Sequence, residues 1–410
     1  MFLTIKGIGK ILDSTIEMNG ITVIAGENNT GKSTFGKVLY CIFNAFHDSE
    51  TTNKNERIHS IKRIFRNYIR PFFPRLITKK MIEELLETND VRQKIIDIIS
   101  SNDKLKIEEN KIDRLQDEIK LYISINNEEI QKMRVTKYLR QEFTDKVNHV
   151  NKLDESGKII LNIKEKTIET IIESDICVGY SDDINIIYDA IYFDTPFVMD
   201  DINKYTSGFY EFNYSINHRD DLIERLSRKK VDITLLEEVV VKQKINNILS
   251  NISSIVSGEF KEDDDNLYFI EKNMKNPIPI QNISTGLKTF LIIKRLLEMG
   301  QIKERGVLIL DEPEIHLHPD WQIKLAEILV LLQKEFNLTI LLTTHSPYFL
   351  HAIEVYSEKY TIAGNTNYYL AKNDKDFSCI CEVSNNIDDV YQLLSSPFQK
   401  LDDISYQDNK

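Results

Sequence analysis

Apolar and polar positions alternate along residues 2–6, the pattern of a half-buried strand, and then run together at 21–25 (I-T-V-I-A), the pattern of a strand covered on both faces. From Ser33 the apolar spacing becomes helical, with Phe35, Val38, Leu39, Ile42, Phe43 and Phe46 falling on one side. The first 46 residues therefore read as strand, turn, strand, loop, helix. Residues 47–185 change character: glycine nearly vanishes and long polar–apolar helical patterns take over. One helix is predicted over 81–100. Leu105, Ile112, Leu115, Ile119 and Tyr122 make a heptad-like stripe of barely three heptads, which predicts a short helical arm rather than a long coiled coil. Residues 158–172 alternate like strands. From 186 onward an α/β texture returns: a strand at 189–193, helix over 222–255, and an amphipathic helix over 290–299 ending at Gly300. An apolar strand at 307–310, a helix over 321–336 and a buried strand at 338–343 follow. Strands alternating with helices predict a mixed, largely parallel sheet flanked by helices, with ligands at the carboxyl ends of the strands. In this reading residues 1–46 and 186–410 form one α/β domain, interrupted by a mainly helical insertion over 47–185.

Composition changes this picture little. The 410 residues are 41% apolar and 28% charged, ordinary for a globular protein. Four cysteines do not make a disulfide framework in a chain this long, and free cytosolic thiols are the simplest reading. The start lacks the basic and apolar regions of a signal peptide, and no run approaches 18 apolar residues, so a cytoplasmic protein without a membrane span is expected. A net charge of −12 argues against binding nucleic acid through bulk electrostatics, so any such contact needs a local basic face.

Candidate chemistry begins between the second strand and the first helix. Gly26, Glu27, Asn28, Asn29, Thr30, Gly31, Lys32, Ser33 and Thr34 satisfy G-x-x-x-x-G-K-[S/T] in the required strand–loop–helix setting. In such a loop backbone N–H groups point inward and cradle phosphate oxygens, helped by the positive end of the following helix. Lys32 would reach the β and γ phosphates of ATP, and the Ser33 hydroxyl would hold Mg²⁺. The strand at 307–310 runs into Asp311 and Glu312. Asp311 would bind Mg²⁺ through its water shell, and Glu312 would polarise an attacking water as general base. His345 follows the next strand, in T-T-H-S-P, where it could sense a γ-phosphate. Ser284 and Gly286, in I-S-T-G-L-K, open an amphipathic helix and offer a second phosphate site, although a plain helix cap explains Ser284 equally well.

Taken together, these residues resemble the ABC-type ATPase heads, a group that includes SMC-like, RecF-like and OLD-like proteins. The order matches: phosphate loop, long insertion, signature, Walker B, switch histidine. Residues 283–287 align with the L-S-G-G-Q signature, keeping Ser284 and Gly286 and departing at Thr285 and Leu287. Asn29 replaces a common glycine, and asparagine tolerates positive φ. The run D-E-P-E-I-H-L-H-P at 311–319 looks like that of stand-alone bacterial ATPases of the Septu-type and OLD-like defence systems. The resemblance covers about 1–46 and 186–355. It implies a homodimer in which two ATP molecules are sandwiched, each between Lys32, Asp311, Glu312 and His345 of one subunit and Ser284 of the other. It further implies an ATPase that regulates a partner in anti-phage defence. OLD nucleases carry a Toprim domain after the head, and the 65 residues beyond His345 are too few for one. Any nuclease would therefore be a separate effector protein. The alternative is a RecF/SMC-like repair or recombination ATPase acting directly on DNA. The Q-loop glutamine is not identifiable, and Asp194-Thr195-Pro196 is a weak candidate for that region.

Three features stay outside this scheme. His316 and His318 invite a metal reading, but no further ligands complete a set nearby, and a dimer-contact loop is preferred. Cys379 and Cys381 alternate on a strand pattern and read as packing. Residues 54–80 carry nine lysines and arginines against one acid, Glu56, interleaved with Phe65, Tyr68, Phe72 and Phe73. Such a stretch can bind phosphate backbones and stack bases, or it can be a solvated helix whose aromatics pack inward.

Overall fold

The computed structural model describes residues 1–69, 77–101, 107–151, 155–203, 217–227, 235–263, 266–374 and 377–407. Contacts divide the chain into two units, one comprising Met1–Asn44, Val135–Ile184 and Tyr188–Lys410, the other Ala45–Arg134 with Asn185–Ile187.

The larger unit is built on an eleven-stranded sheet. Its parallel half joins β3 (Ile21–Gly26), β7 (Ala190–Phe193), β11 (Val307–Asp311), β12 (Thr339–Thr344) and β13 (Thr366–Asp374) in the order β13-β3-β12-β11-β7. All six residues of β3 are buried, as are Val307, Leu308, Ile309 and Leu310. That is why both strands read as continuous apolar runs: helices cover a parallel sheet on its two faces. The register sets Leu310 beside both Leu342 and Phe193, and Thr343 beside Ile24. Gly26, Asp311 and Thr344 therefore arrive together at the carboxyl edge, the place this topology offers a ligand.

The other half is antiparallel. β1 (Phe2–Ile8) pairs with β2 (Ile11–Glu17) and with β4 (Gly157–Ile163), followed outward by β5 (Lys166–Glu173) and β6 (Ile176–Asp182). β14 (Phe377–Glu382) joins the halves, antiparallel to β13 and bridged in parallel to β2. The remaining strands, β8 (Gly258–Asp263), β9 (Asn266–Glu271) and β10 (Ile278–Pro279), form a separate three-stranded sheet. Two sequence expectations change here. The sequence pattern predicts two strands in the first 46 residues where there are three; β2 escapes it because I-L-D-S-T-I-E alternates imperfectly. The expected insertion includes 157–182, yet the strands there extend the main sheet, so the second compact unit is shorter than 47–185.

Helices α1 (Lys32–Phe46) as far as Asn44, α7 (His218–Ser227), α8 (Leu235–Ser253), α9 (Thr285–Glu298), α10 (Pro319–Phe336), α11 (Pro347–Lys359) and α12 (Asp388–Gln407) belong to this unit. Phe290, Leu329 and Phe349 meet Val23, Leu310 and Leu342 in its core. Caps set the helix starts. The His318 ring accepts from the Asp320 N–H with Pro319 at the first position, and the Ser346 hydroxyl accepts from the Phe349 N–H before Pro347. The proline at each first turn is why α10 begins two residues earlier than the apolar pattern shows.

The smaller unit holds α2 (Ser49–Tyr68), α3 (Lys79–Glu87), α4 (Val91–Ser100), α5 (Glu109–Ser124) and the start of α6 (Asn127–Glu142). The single helix expected over 81–100 is two: Asp90 caps a new helix by accepting from the Gln93 N–H. The stripe behaves as its spacing predicts where it is described, with Leu115 and Ile119 in the core beside Ile112 and Tyr122; Leu105 lies outside the described residues. Of the aromatics between 54 and 80, Phe65 is fully buried and Tyr68 packs against the same core, while Phe72 and Phe73 lie outside the described residues. Arg57 donates to Asn127 and Ile125, and Lys54 pairs with Glu83 and Glu87. The described part of the basic segment is thus an amphipathic helix with its aromatic face turned inward.

Candidate functional site

The loop from Gly26 to Gly31 is shaped by positions that tolerate little else. Gly26 has φ 153°, and a Cβ there would collide with the Ala371 carbonyl oxygen, because β13 runs directly alongside. Gly31 has φ 78°. Asn29 adopts φ 64°, the left-handed conformation its short amide tolerates. The Thr30 hydroxyl closes the loop by donating to the Glu27 carbonyl at 2.8 Å. Glu27, Asn28 and Asn29 are exposed, and Ser33 and Thr34 occupy the first turn of α1. A 15-residue helix starting straight from this loop turns unpaired amides and its positive end onto it.

Lys32 is only 4% exposed, and its Nζ donates to the carbonyls of Gly26 and Glu27 at 2.9 and 2.8 Å. The same ammonium stands 3.5 Å from Glu312, whose other oxygen stands 3.4 Å from His345 Nδ1. Three of the residues singled out in the sequence thus form one contiguous chain. The hydrogen bond with His345 is the main reason the Glu312 carboxyl is held below its ordinary range, with Lys32 adding to it. The same bond raises His345. Glu312 has φ 49°, a costly conformation for a side-chain-bearing residue, sustained by its N–H donating to the Thr343 carbonyl and hydroxyl. Asp311 is oriented by two hydroxyls: Tyr192 donates to one carboxylate oxygen at 3.1 Å, and Thr343 to the other.

Four residues that sequence reasoning did not single out belong to this neighbourhood. Thr343 and Tyr192 are read only from register, since each faces Asp311 from an adjacent strand. Glu314, 1% exposed, accepts from the Thr344 hydroxyl and from the His345 N–H, tying the turn after Glu312 to the switch segment. Burial pushes its carboxyl up, against the Thr344 hydrogen bond. The signal for it was the acid two positions after Glu312. His218 packs on Tyr192 from α7, and nothing local in the sequence marks it.

Ser284 and Gly286 lie elsewhere. With Thr285, His316, His318 and Trp321 they line an open cleft of about 420 Å³ that includes no phosphate-loop residue. Ser284 stands at the helix N-cap position, is exposed, and makes no capping hydrogen bond. A Cβ on Gly286 would come within 3.0 Å of the His316 carbonyl oxygen, so glycine lets α9 close against the 316–321 turn. His316 contacts the Phe197 ring edge-on, and His318 caps α10.

Comparison with known proteins adds a lineage to this geometry. The chain is similar to "Retron Ec83 probable ATPase" of Escherichia coli, 30% identical over 119 residues, which span 26% of this chain and 19% of that protein. It is also similar to "Retron Vc95 probable ATPase" of Vibrio cholerae, 27% identical over 172 residues, 37% of this chain and 32% of the other. The matched stretches thus cover a third or less of these curated relatives. Among solved structures, the SMC head domain from Thermotoga maritima aligns at 12% identity and TM-score 0.41, covering 93% of this chain and 98% of that one. An SMC head bound to the C-winged helix domain of ScpA aligns at 11% identity and TM-score 0.45, covering 94% and 97%. By sequence, a family model matches residues 21–351, from β3 through His345, and the chain belongs to that family, described as "AAA domain, putative AbiEii toxin, Type IV TA system".

Proposed function

We propose that this chain binds ATP with Mg²⁺, hydrolyses it in a nucleotide-sandwich homodimer, and uses the cycle to regulate a separate effector protein, in a bacterial anti-phage defence setting. The observation that carries the reading is the contact chain that runs from the buried Lys32 through Glu312 to the half-exposed His345 at the mouth of the phosphate loop.

The residues fit the ligands. The loop narrows to glycine where β13 crowds it and opens onto the N-terminus of α1, a fit for phosphate oxygens. Ser33 and Asp311 would hold Mg²⁺, which when bound neutralises charge on the transferring phosphoryl group. Lys32 now spends its protons on two loop carbonyls and on Glu312, all of which an entering phosphate would compete with. Glu312 is then left beside His345 and is free to accept a proton from a water lined up for attack. His345, half-exposed beside Glu312, can donate toward an added anion and so report its presence.

Support for the dimer comes from the Ser284 cleft. A hydroxyl at a helix N-terminus with no capping role, apart from the phosphate-loop residues, suits an anion brought by a second copy. The ATPase activity is supported by two relatives named as retron ATPases, and the effector role by the family's description, which names a toxin. The buried Phe65 favours it over direct nucleic-acid binding.

The test is Glu312→Gln. It should bind ATP and accumulate as a dimer in Mg²⁺-ATP by sedimentation, with phosphate release reduced on the order of 10²–10⁴-fold. Hydrolysis at the wild-type rate would remove Glu312 as the base.

A further inference from the structure

Behind the site lies a charged cluster, buried at His218 and Glu142 and partly exposed at Asp194, that ATP hydrolysis as described does not use. His218, 7% exposed, opens α7. Its Nδ1 is 2.7 Å from Glu142 Oε2, and its backbone N–H donates to Glu142 Oε1 at 2.7 Å. Its Nε2 stands 3.1 Å from Asp194 Oδ2, an ion-pair contact off the hydrogen-bond line, and Asp194 Oδ1 is buried without a hydrogen-bond partner among the described residues. The imidazole stacks on Tyr192 with ring centroids 4.4 Å apart and planes 26° from parallel. The Tyr192 hydroxyl donates to Asp311.

Stability alone is a weak explanation for this arrangement. Buried ion pairs with unsatisfied atoms are often no better than apolar packing of the same volume. The cluster does, however, connect two places. Glu142 is the last residue of α6, the helix by which the chain returns from the 45–134 unit. Asp194 directly follows β7, whose Phe193 pairs with Leu310, the residue before Asp311.

We propose that His218 is a positioning residue. Clamped between Glu142 and Asp194, it fixes the Tyr192 ring, and through the Tyr192 hydroxyl it sets the Asp311 carboxylate for the metal–nucleotide complex. The affinity for that complex then depends on where the end of α6 holds Glu142, which makes the bridge a route by which α6 and the ATP site influence each other. This rests on the reading that Asp311 holds the metal.

The test uses the full chain, Mn²⁺ as a paramagnetic probe and a non-hydrolysable ATP analogue, with bound Mn²⁺ counted by electron paramagnetic resonance. His218→Gln and Glu142→Gln should each weaken Mn²⁺–nucleotide binding by about tenfold, a usual size for coupling between linked sites. Binding of the nucleotide without metal should stay within about twofold, because the phosphate loop is untouched. A purely structural role would lower the melting temperature and leave this ratio alone. Tyr192→Phe deletes only the final hydroxyl and must reproduce the loss, which keeps the question decidable if the first two variants fold poorly. Unchanged Mn²⁺ affinity in folded variants overturns the bridge. If the wild-type protein shows no nucleotide-dependent Mn²⁺ binding, the ATP-site reading itself falls.

Discussion

Single residues at this site are legible in proportion to how locally their job is specified. Lys32, Asp311, Glu312 and His345 announce themselves because each closes a strand or opens a helix in a spaced motif. Tyr192, Thr343 and His218 act across strands or from a distant helix, and only register and packing reveal them. Glu314 shows the difference. Its side chain carries the Thr344 hydroxyl and the His345 N–H, so Glu314→Ala leaves a buried hydroxyl without its acceptor, costing about 1–3 kcal/mol. Turnover should fall on the order of tenfold with nucleotide affinity unchanged, and Glu314→Gln, whose amide oxygen still accepts, should restore it. Wild-type turnover in the alanine variant would remove the link. A pH prediction follows from His218. Burial alone would lower its pKa, but Asp194 and Glu142 outweigh that and raise it from 6.5 to about 9. The folded state therefore binds this proton more tightly than the unfolded chain. The stabilisation is fully present below pH 6.5 and is lost as pH rises through 9, a change on the order of 3 kcal/mol. Denaturant melts between these pH values should show that loss, and His218→Gln should flatten it.

At the scale of elements, apolar periodicity found the buried parallel strands and the long helices, because there burial alone dictates residue type. It failed where a polar signal decides. Thr88, Asn89 and Asp90 interrupt an otherwise continuous helical pattern, and the Asp90 carboxylate starts α4. Asp90→Ala should cost about 1 kcal/mol in the stability of the smaller unit, measurable as a lower denaturation midpoint, and no loss would mean that the cap is not used. It also missed β2, and it found strands at 158–172 without showing which sheet they join. Their alternation is that of a half-solvated antiparallel sheet, and which sheet such strands join is set by pairing partners far away in sequence.

For the whole molecule, the fold class was readable and the domain boundary was not, since the main sheet recruits strands from both sides of the helical unit. The central claim is that ATP is hydrolysed in a site completed by a second copy, Lys32 and Glu312 from one chain and Ser284 from the other. Mixing Lys32→Ala with Ser284→Arg tests it most directly. Each variant alone should release no phosphate above background. In mixed dimers one site regains an intact Lys32 opposite an intact Ser284, so the mixture should recover up to about a quarter of wild-type phosphate release. Full activity of Ser284→Arg on its own, or a mixture as inactive as its components, would contradict the shared site.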